Sequence, residues 1–325
     1  MYRPLGDARL KNDQHVEIGV ITPPQPDRTQ QLHHLLGHKG EEWVWQVDQS
    51  LAGNTDELEN RFYVATDDAG RLVSNVCTFE VKGVGILGHV WTPLEERRKG
   101  LCTRIFEKLM DDFRSRGGGL MLLGTGFDTP PWHIYKRFGF VELFEGSGLM
   151  RYSTEDEFEA KYFAASETRL VDRSWSAWPR LNALAAEPEE YTKSLVWPRF
   201  FKNCFEDAYL WLIRAMNADD TIDAKLLESA STGAIVGYAW TVPGGGFPGV
   251  YLLDLYSHPN HPGGYAKLLD ALEWPEDKIT TFIEASLDAK ASALQAAGFD
   301  CEGTLKNHLK KRDGAADVLV YSRQP

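Results

Sequence analysis

Residues 84–123 constrain the fold more than any other stretch. An apolar run, Val84 to Trp91, leads into a short charged turn. A helical pattern then begins near Leu101, and a second apolar run follows at Leu120-Met121-Leu122-Leu123. The helix places Ile105, Phe106, Leu109, Met110 and Phe113 on one face and Arg104, Glu107, Lys108, Asp111 and Asp112 on the other, which is amphipathic spacing. Ser115-Arg116-Gly117-Gly118-Gly119 stops it. Leu120 to Leu123 has no polar alternation, as expected of a strand buried in a parallel pair. The turn carries Arg97, Arg98, Lys99 and Gly100 immediately before the helix. Unpaired N–H groups and three cations at the positive end of a helix dipole make a site for a phosphate or pyrophosphate.

The flanking residues continue the alternation of strands and helices. Residues 1–15 are polar and turn-rich and read as a loose arm, with a first strand at Val16 to Ile21. Arg28 to Gly37 and Glu42 to Leu51 read as short helices. Arg61 to Thr66 and Leu72 to Val81 are strands joined by the turn Asp67-Asp68-Ala69-Gly70. After Leu123, a short helix from Trp132 to Phe138 ends at Gly139, and Phe140 to Phe144 and Leu149 to Tyr152 are strands. The charged stretch Ser153 to Lys161 reads as a helical connector. A similar order then recurs: a strand at Thr168 to Asp172, a helical region from Trp175 to Leu184, and a meander of Tyr209 to Ala215, Leu226 to Glu228 and Ile235 to Val242. Next come a strand at Val250 to Tyr256, a loop at Ser257 to Gly264, a helix at Tyr265 to Leu272, a strand at Thr280 to Ala285 and a helix at Ala289 to Ala297. The pairs Gly139-Phe140 and Gly298-Phe299 end corresponding helices, so the chain reads as a duplicated domain. The expected boundaries are 1–153, a connector at 154–164, and 165–325.

The 325 residues suit two domains, with 43% hydrophobic and 25% charged residues. A formal net charge of −12 argues against nonspecific binding to nucleic acid or anionic membranes. No apolar run reaches spanning length, and the first residues lack a signal-peptide core, so the expectation is a cytoplasmic protein with no membrane partner. Cys77, Cys102, Cys204 and Cys301 form no metal-type pair and read as free thiols. The nine His residues show no HExxH spacing, so no metal site is expected.

Residues 61–152 resemble the GNAT superfamily of acyl-CoA-dependent N-acyltransferases. That family's pyrophosphate loop, Arg/Gln-x-x-Gly-x-Gly/Ala, is matched by Arg97-Arg98-Lys99-Gly100-Leu101-Cys102, with Cys102 in place of the small last residue. The family's later Tyr-x-x-x-Gly-Phe is matched by Tyr135-Lys136-Arg137-Phe138-Gly139-Phe140. Asp128 and Pro131 stand where the family usually has Asn and Ala. Residues 165–325 look like a degenerate copy: Gly263-Gly264 holds the loop position without Arg or Lys, and Leu294 replaces the Tyr. The resemblance implies an α/β fold of two tandem domains, each a mixed, mostly antiparallel twisted sheet with helices on both faces. It implies acetyl-CoA or another acyl-CoA as co-substrate, a small-molecule or peptide amine as acceptor, and one active site, in the first half. Self-association is left open.

Acyl transfer to an amine needs a held thioester, an oxyanion site, a neutral amine and a proton for the leaving thiolate. The resemblance assigns CoA to the backbone of 98–103, with Arg97, Arg98 and Lys99 adding charge and Thr103 donating to a phosphate or capping the helix. It assigns the oxyanion to an N–H near Val90 or Trp91, and the general acid to Tyr135. His89, read on one strand face with Leu87 and Trp91, is the best candidate base because imidazole titrates near neutrality. His133 should point away from Tyr135. Trp43, Trp45, Trp91, Trp132 and Trp197 are candidates to line the acceptor pocket, although such residues more often build core. Two other functions fit the same motifs: decarboxylation or S-acyl transfer on malonyl-thioesters, and acyl-CoA binding without turnover.

Overall fold

The computed structural model describes residues 1–187, 193–196, 205–219, 222–244, 248–311 and 314–325. Trp197 and Cys204 lie outside the described residues. Contacts divide the chain into two compact units, Met1–Phe158 with Ser174–Ala183, and Glu159–Arg173 with Leu184–Pro325. The fold is α/β, and each unit is built on one mixed, mostly antiparallel sheet.

The first unit begins with β1 (Tyr2–Arg9) and β2 (His15–Ile21), then α1 (Thr29–Leu36) and α2 (Glu41–Ala52). It continues through β3 (Glu59–Asp67), β4 (Leu72–Val81), β5 (Val84–Trp91), α3 (Leu101–Ser115), β6 (Leu120–Gly124), α4 (Pro130–Arg137), β7 (Val141–Glu142) and β8 (Leu149–Ser153). The strand order is β1-β2-β3-β4-β5-β6-β8-β7. Neighbours run antiparallel except β5 and β6, which pair in parallel with α3 as the crossover, the connection such a pair requires.

Residues 1–15 are not a loose arm. β1 pairs with β2 from Tyr2↔Ile21 to Arg9↔His15. An edge strand with no fully buried residue needs no apolar alternation, so its polarity imitates a loop. Tyr2 lies over Gly19, where an added Cβ would come within 2.3 Å of the phenol oxygen. The strand expected over Phe140 to Phe144 shrinks to Val141–Glu142.

Helices cover both faces of this sheet. On one face Leu101, Ile105, Phe106, Leu109, Met110 and Phe113 of α3 pack with Val16, Ile18, Tyr63, Val76 and Leu87. Burying such a side chain contributes about 1.5–3 kcal/mol, so this stripe is the main attachment of the crossover helix. On the other face, α1 contacts β4 and β5 through a stripe of buried Leu32, Leu35 and Leu36, and Trp43 of α2 stacks on Phe79. A buried polar network ties α3 to β3 and β4. Arg116 bonds Glu80 at 2.7 Å, Asp112 at 3.0 Å and the Tyr63 hydroxyl at 3.1 Å.

Helix α5 (Phe158–Tyr162), β9 (Thr168–Asp172), α6 (Ala177–Ala186) and α7 (Phe205–Ala218) follow. The expected strand Tyr209 to Ala215 is part of α7. Tyr209, Leu210, Leu212, Ile213 and Met216 are all buried, and their spacing has the helical period, not the alternation of a strand. The second unit then forms β10 (Ala224–Ser229), β11 (Ile235–Pro243), β12 (Val250–Ser257), α8 (Gly264–Ala271), β13 (Lys278–Glu284), α9 (Asp288–Ala296), β14 (Asp300–Lys311) and β15 (Gly314–Arg323). Its strand order is β14-β15-β13-β12-β11-β10-β9, with β12 and β13 parallel. Among the described residues no helix is long and apolar enough to cross a membrane.

Candidate active site

The parallel pairing of β5 with β6 covers three residue pairs, Val84↔Leu120, Gly85↔Met121 and Ile86↔Leu122. Beyond Ile86 the strand runs on to Trp91 with no partner strand on the β6 side among the described residues, so this length of backbone has polar groups to offer to something else. The β4–β5 register shifts between Asn75↔Trp91 and Cys77↔Gly88, a bulge that places an extra residue in β5. His89 sits in it with φ +50°, and Asn75 Nδ2 donates to the His89 carbonyl at 2.9 Å.

The bulge decides where His89 points. Leu87 belongs to the α3-side core and Val90 packs against it. His89 turns to the opposite face, where its ring meets Trp43 edge-on at 4.6 Å and Phe79 at 5.6 Å. The expectation that His89 shares a face with Leu87 is therefore incorrect, because the extra residue resets the alternation. His89 Nε2 lies 3.5 Å from Gln46 Oε1, and Gln46 in turn donates to Asn60 at 2.9 Å. Burial, with Lys39 and His38 nearby, pushes the imidazole down to about 3. The ring is neutral at pH 7 and is a weak base.

After β5, a single 3-10 turn at Leu94–Glu96 brings the chain to the basic loop. Arg98 and Gly100 both adopt the left-handed conformation, at φ +64° and +95°. Gly100 is the N-cap of α3 and supplies no side chain, so no side chain of its own covers the first-turn N–H groups. The first intrahelical bond of this turn runs from the Arg104 N–H to the Gly100 carbonyl at 3.1 Å. The β1–β2 turn braces the loop from outside, the Lys11 N–H donating to the Lys99 carbonyl at 3.0 Å.

The three cations behave differently. Arg97 folds back, its Nε donating to the Thr92 carbonyl at 2.9 Å and its guanidinium lying 5.0 Å from the Trp91 ring. Lys99 is paired with Glu96 at 2.7 Å. Arg98 is exposed and has no hydrogen bond or ion pair among the described residues. Leu101 is core, Thr103 is half-buried, and Cys102 packs partly against the core. Burial pushes the Cys102 thiol up to about 12, which removes it as a thiolate nucleophile at neutral pH.

Tyr135, near the end of α4, is buried against Phe106 of α3 at 5.4 Å between ring centroids. It belongs to the same cluster as Leu101, Leu123 and Leu87, against which Val90 and Cys102 pack. The start of α3, the end of β5 and Tyr135 thus contribute to one core cluster. His133, by contrast, faces outward and pairs with Asp128 at 3.0 Å.

The aromatic residues separate into groups. Trp43 joins Phe79, His89 and Trp178, Trp45 meets Trp175 at 5.1 Å, and Trp132 lies on the α4 side beneath Lys136. Trp91 is flanked by His38 at 3.8 Å, Lys39 and Arg97. Sequence reading passed over His38, Lys39, Gln46, Asn75 and Trp178. The β4–β5 register brings Asn75 to β5, while packing of the α1–α2 connector and α2 on the sheet brings His38, Lys39 and Gln46 there and Trp178 reaches Trp43 and Phe79; no local spacing announces either. Among the described residues there is no cluster of three or more His, Cys, Asp or Glu able to hold a metal ion.

The corresponding place in the second unit is built differently. β12 pairs with β13 over Val250↔Lys278 to Leu252↔Thr280 and then runs on alone on that side. Its loop is partly bonded to itself: Gly264 N–H donates to the His261 carbonyl at 2.9 Å, Ser257 Oγ donates to the same carbonyl at 2.9 Å, and the buried His261 Nε2 has no hydrogen-bond partner among the described residues. A Cβ on Gly264 would fall 2.1 Å from Ser257 Oγ, so the loop is pressed onto its own strand.

No family model matches the sequence, and a search of curated proteins finds no match. Solved structures are similar over about half the chain. An acetyltransferase of the GNAT family from Streptococcus pneumoniae is 14% identical, with 48% of this chain and 98% of that one covered and a TM-score of 0.40. The ribosomal-protein-alanine N-acetyltransferase of Brucella melitensis is 23% identical, covering 48% and 99%, with a TM-score of 0.38. The Salmonella typhimurium protein yncA, solved with its cofactor acetyl-CoA, is 16% identical, covering 48% and 93%, with a TM-score of 0.39.

Proposed function

We propose that the first unit is an acyl-CoA-dependent N-acyltransferase, using acetyl-CoA and acting on a primary amine by direct transfer, and that residues 165–325 form a second, non-catalytic copy of the domain. One observation carries this reading: the N-terminus of α3, which has no side-chain cap, the end of β5 beyond its pairing with β6, and Tyr135 all contribute to one core cluster. A helix N-terminus suits the pyrophosphate of an acyl-CoA, and the GNAT resemblance of residues 61–152 implies that the thioester lies farther along, beside the end of β5.

Acetyl-CoA, when bound, supplies an acyl group activated on a thiol. The N–H groups of residues 98–103 hold the pyrophosphate, and Arg98, exposed and without a partner among the described residues, adds positive charge. Backbone N–H near Val90 or Trp91 stabilises negative charge developing on the thioester oxygen, a contribution of about 2.7–4 kcal/mol in comparable sites. Tyr135 delivers a proton to the departing sulfur. His89 is too weak a base to lead, so the amine proton passes to water, with His89 orienting the strand through Gln46 and Asn75.

Calorimetric titration with acetyl-CoA, followed by free-thiol release in the presence of amines, tests the proposal. Binding followed by amine-dependent thiol release supports it. Binding without release under any amine supports a module that only binds, and conversion of malonyl-CoA to acetyl-CoA supports decarboxylation instead.

A further inference from the structure

An acceptor amine has to meet the thioester from the sheet face opposite the α3 core, because that core is filled by Tyr135, Phe106 and Leu101. On the opposite face the end of β5 presents Trp91, and the α1–α2 connector presents His38 and Lys39 to it. His38 lies 3.8 Å from the Trp91 ring, the Lys39 ammonium 5.9 Å and the Arg97 guanidinium 5.0 Å.

Three cationic or protonatable groups therefore surround one indole, in a chain whose formal charge is −12. Among the described residues none of the three forms an ion pair with a carboxylate. Lys39 is half-buried. Burial pushes its pKa down, and no neighbouring carboxylate pushes it back up. Arg61, Lys99 and Arg116, also half-buried, are each paired with a carboxylate, while Arg28 and Lys108 share with Lys39 the lack of an ion pair among the described residues. A cation partly removed from water without a counter-ion is costly, and it persists where a ligand provides the missing charge.

Resting on the acyltransferase reading, we infer that the acceptor carries a carboxylate or phosphate as well as its amine, and that Lys39, with His38 and Arg97 around Trp91, holds that anionic group. The indole supplies a flat apolar wall beside the cations, so a compact amino acid or phosphorylated amine fits this corner and a polyamine is repelled. Lys39 acts on acceptor choice and takes no part in the proton transfers.

The test measures thiol release from acetyl-CoA with a fixed panel: glycine, aspartate, glutamate and γ-aminobutyrate as carboxylate amines, phosphoethanolamine as a phosphate amine, and ethanolamine and spermidine as amines without an anion. Wild-type protein should turn over members of the first two groups and reject spermidine. The carboxylate and phosphate arms tell the two anions apart. Lys39→Glu should lower kcat/KM for the preferred anionic acceptor by roughly 10-fold or more, the size expected of a charge reversal at partly screened contact range. Lys39→Met should lie between, and calorimetric acetyl-CoA affinity should be unchanged in both. Preference for spermidine in wild type, or equal kcat/KM across the Lys39 series, overturns the inference while leaving the acyltransferase reading intact. Loss of acetyl-CoA affinity in Lys39→Glu overturns it differently, by moving Lys39 into the CoA cradle. Failure of wild type to bind acetyl-CoA at all strikes the acyltransferase reading itself.

Discussion

Below neutral pH the buried ring of His89 should cost the first unit stability. His89 is buried with its pKa pushed down to about 3, whereas an unfolded histidine titrates near 6.5. The folded state thus refuses a proton that the unfolded state accepts. Stability is full above pH 6.5 and falls as pH drops below it, until the folded pKa is reached. At pH 5 the unfolded chain gains about 1.5 × 1.36, or about 2 kcal/mol, from protonating this one ring. Urea unfolding at pH 7.5 and pH 5.0, followed by tryptophan fluorescence, to which Trp43 beside His89 contributes, should show this loss in wild type. His89→Phe removes the titrating group while keeping an aromatic ring between Trp43 and Phe79. It should lose about 2 kcal/mol less than wild type over the same interval, whatever its absolute stability. Identical pH dependence in the two proteins, or a His89 pKa near 6.5 by NMR, would refute the reasoning. The same quantity bears on chemistry: a ring neutral down to about pH 3 contributes no acid limb near pH 6.5 to kcat/KM.

Other consequences are direct. Tyr135→Phe should lower kcat by about 10²-fold or more while acetyl-CoA affinity stays within twofold, measured by steady-state kinetics and calorimetry; unchanged kcat removes the acid. Arg116→Met should destabilise the first unit by about 3–5 kcal/mol in chemical denaturation, because Glu80 and Asp112 would remain buried without their shared cation. Gly148→Ala should be strongly destabilising, since its Cβ would fall 1.9 Å from the Thr125 carbonyl oxygen at φ +69°; a wild-type melting temperature would contradict that packing.

What the sequence revealed follows the physics of each element. β5, α3 and β6 were legible because their apolar periods change where the chain changes from strand to helix and back. The Gly at position 100 was legible as the entry to α3, and the structure adds its left-handed φ. β1 was not, because an edge strand has little apolar signature to read. Nor was the direction of His89: one inserted residue in β5 reverses the face, and only the register with β4 shows it. The loop's charge was countable, but not its availability. Arg97 and Lys99 are turned aside by Thr92, Trp91 and Glu96, leaving Arg98 as the loop cation with no partner among the described residues. The corner around Lys39 joins residues about fifty positions apart through sheet packing, beyond the reach of local pattern.

The most direct measurement is the calorimetric stoichiometry and affinity of acetyl-CoA for the full chain, compared with a variant carrying Arg98→Glu and Gly100→Glu. One site per chain is expected, at the uncapped start of α3, with affinity lowered at least ~100-fold by two carboxylates facing a pyrophosphate. The partly self-bonded loop at Ser257 to Gly264 should add no second site. Two sites per chain, or undiminished affinity in the double variant, would show that the basic loop is not the cradle.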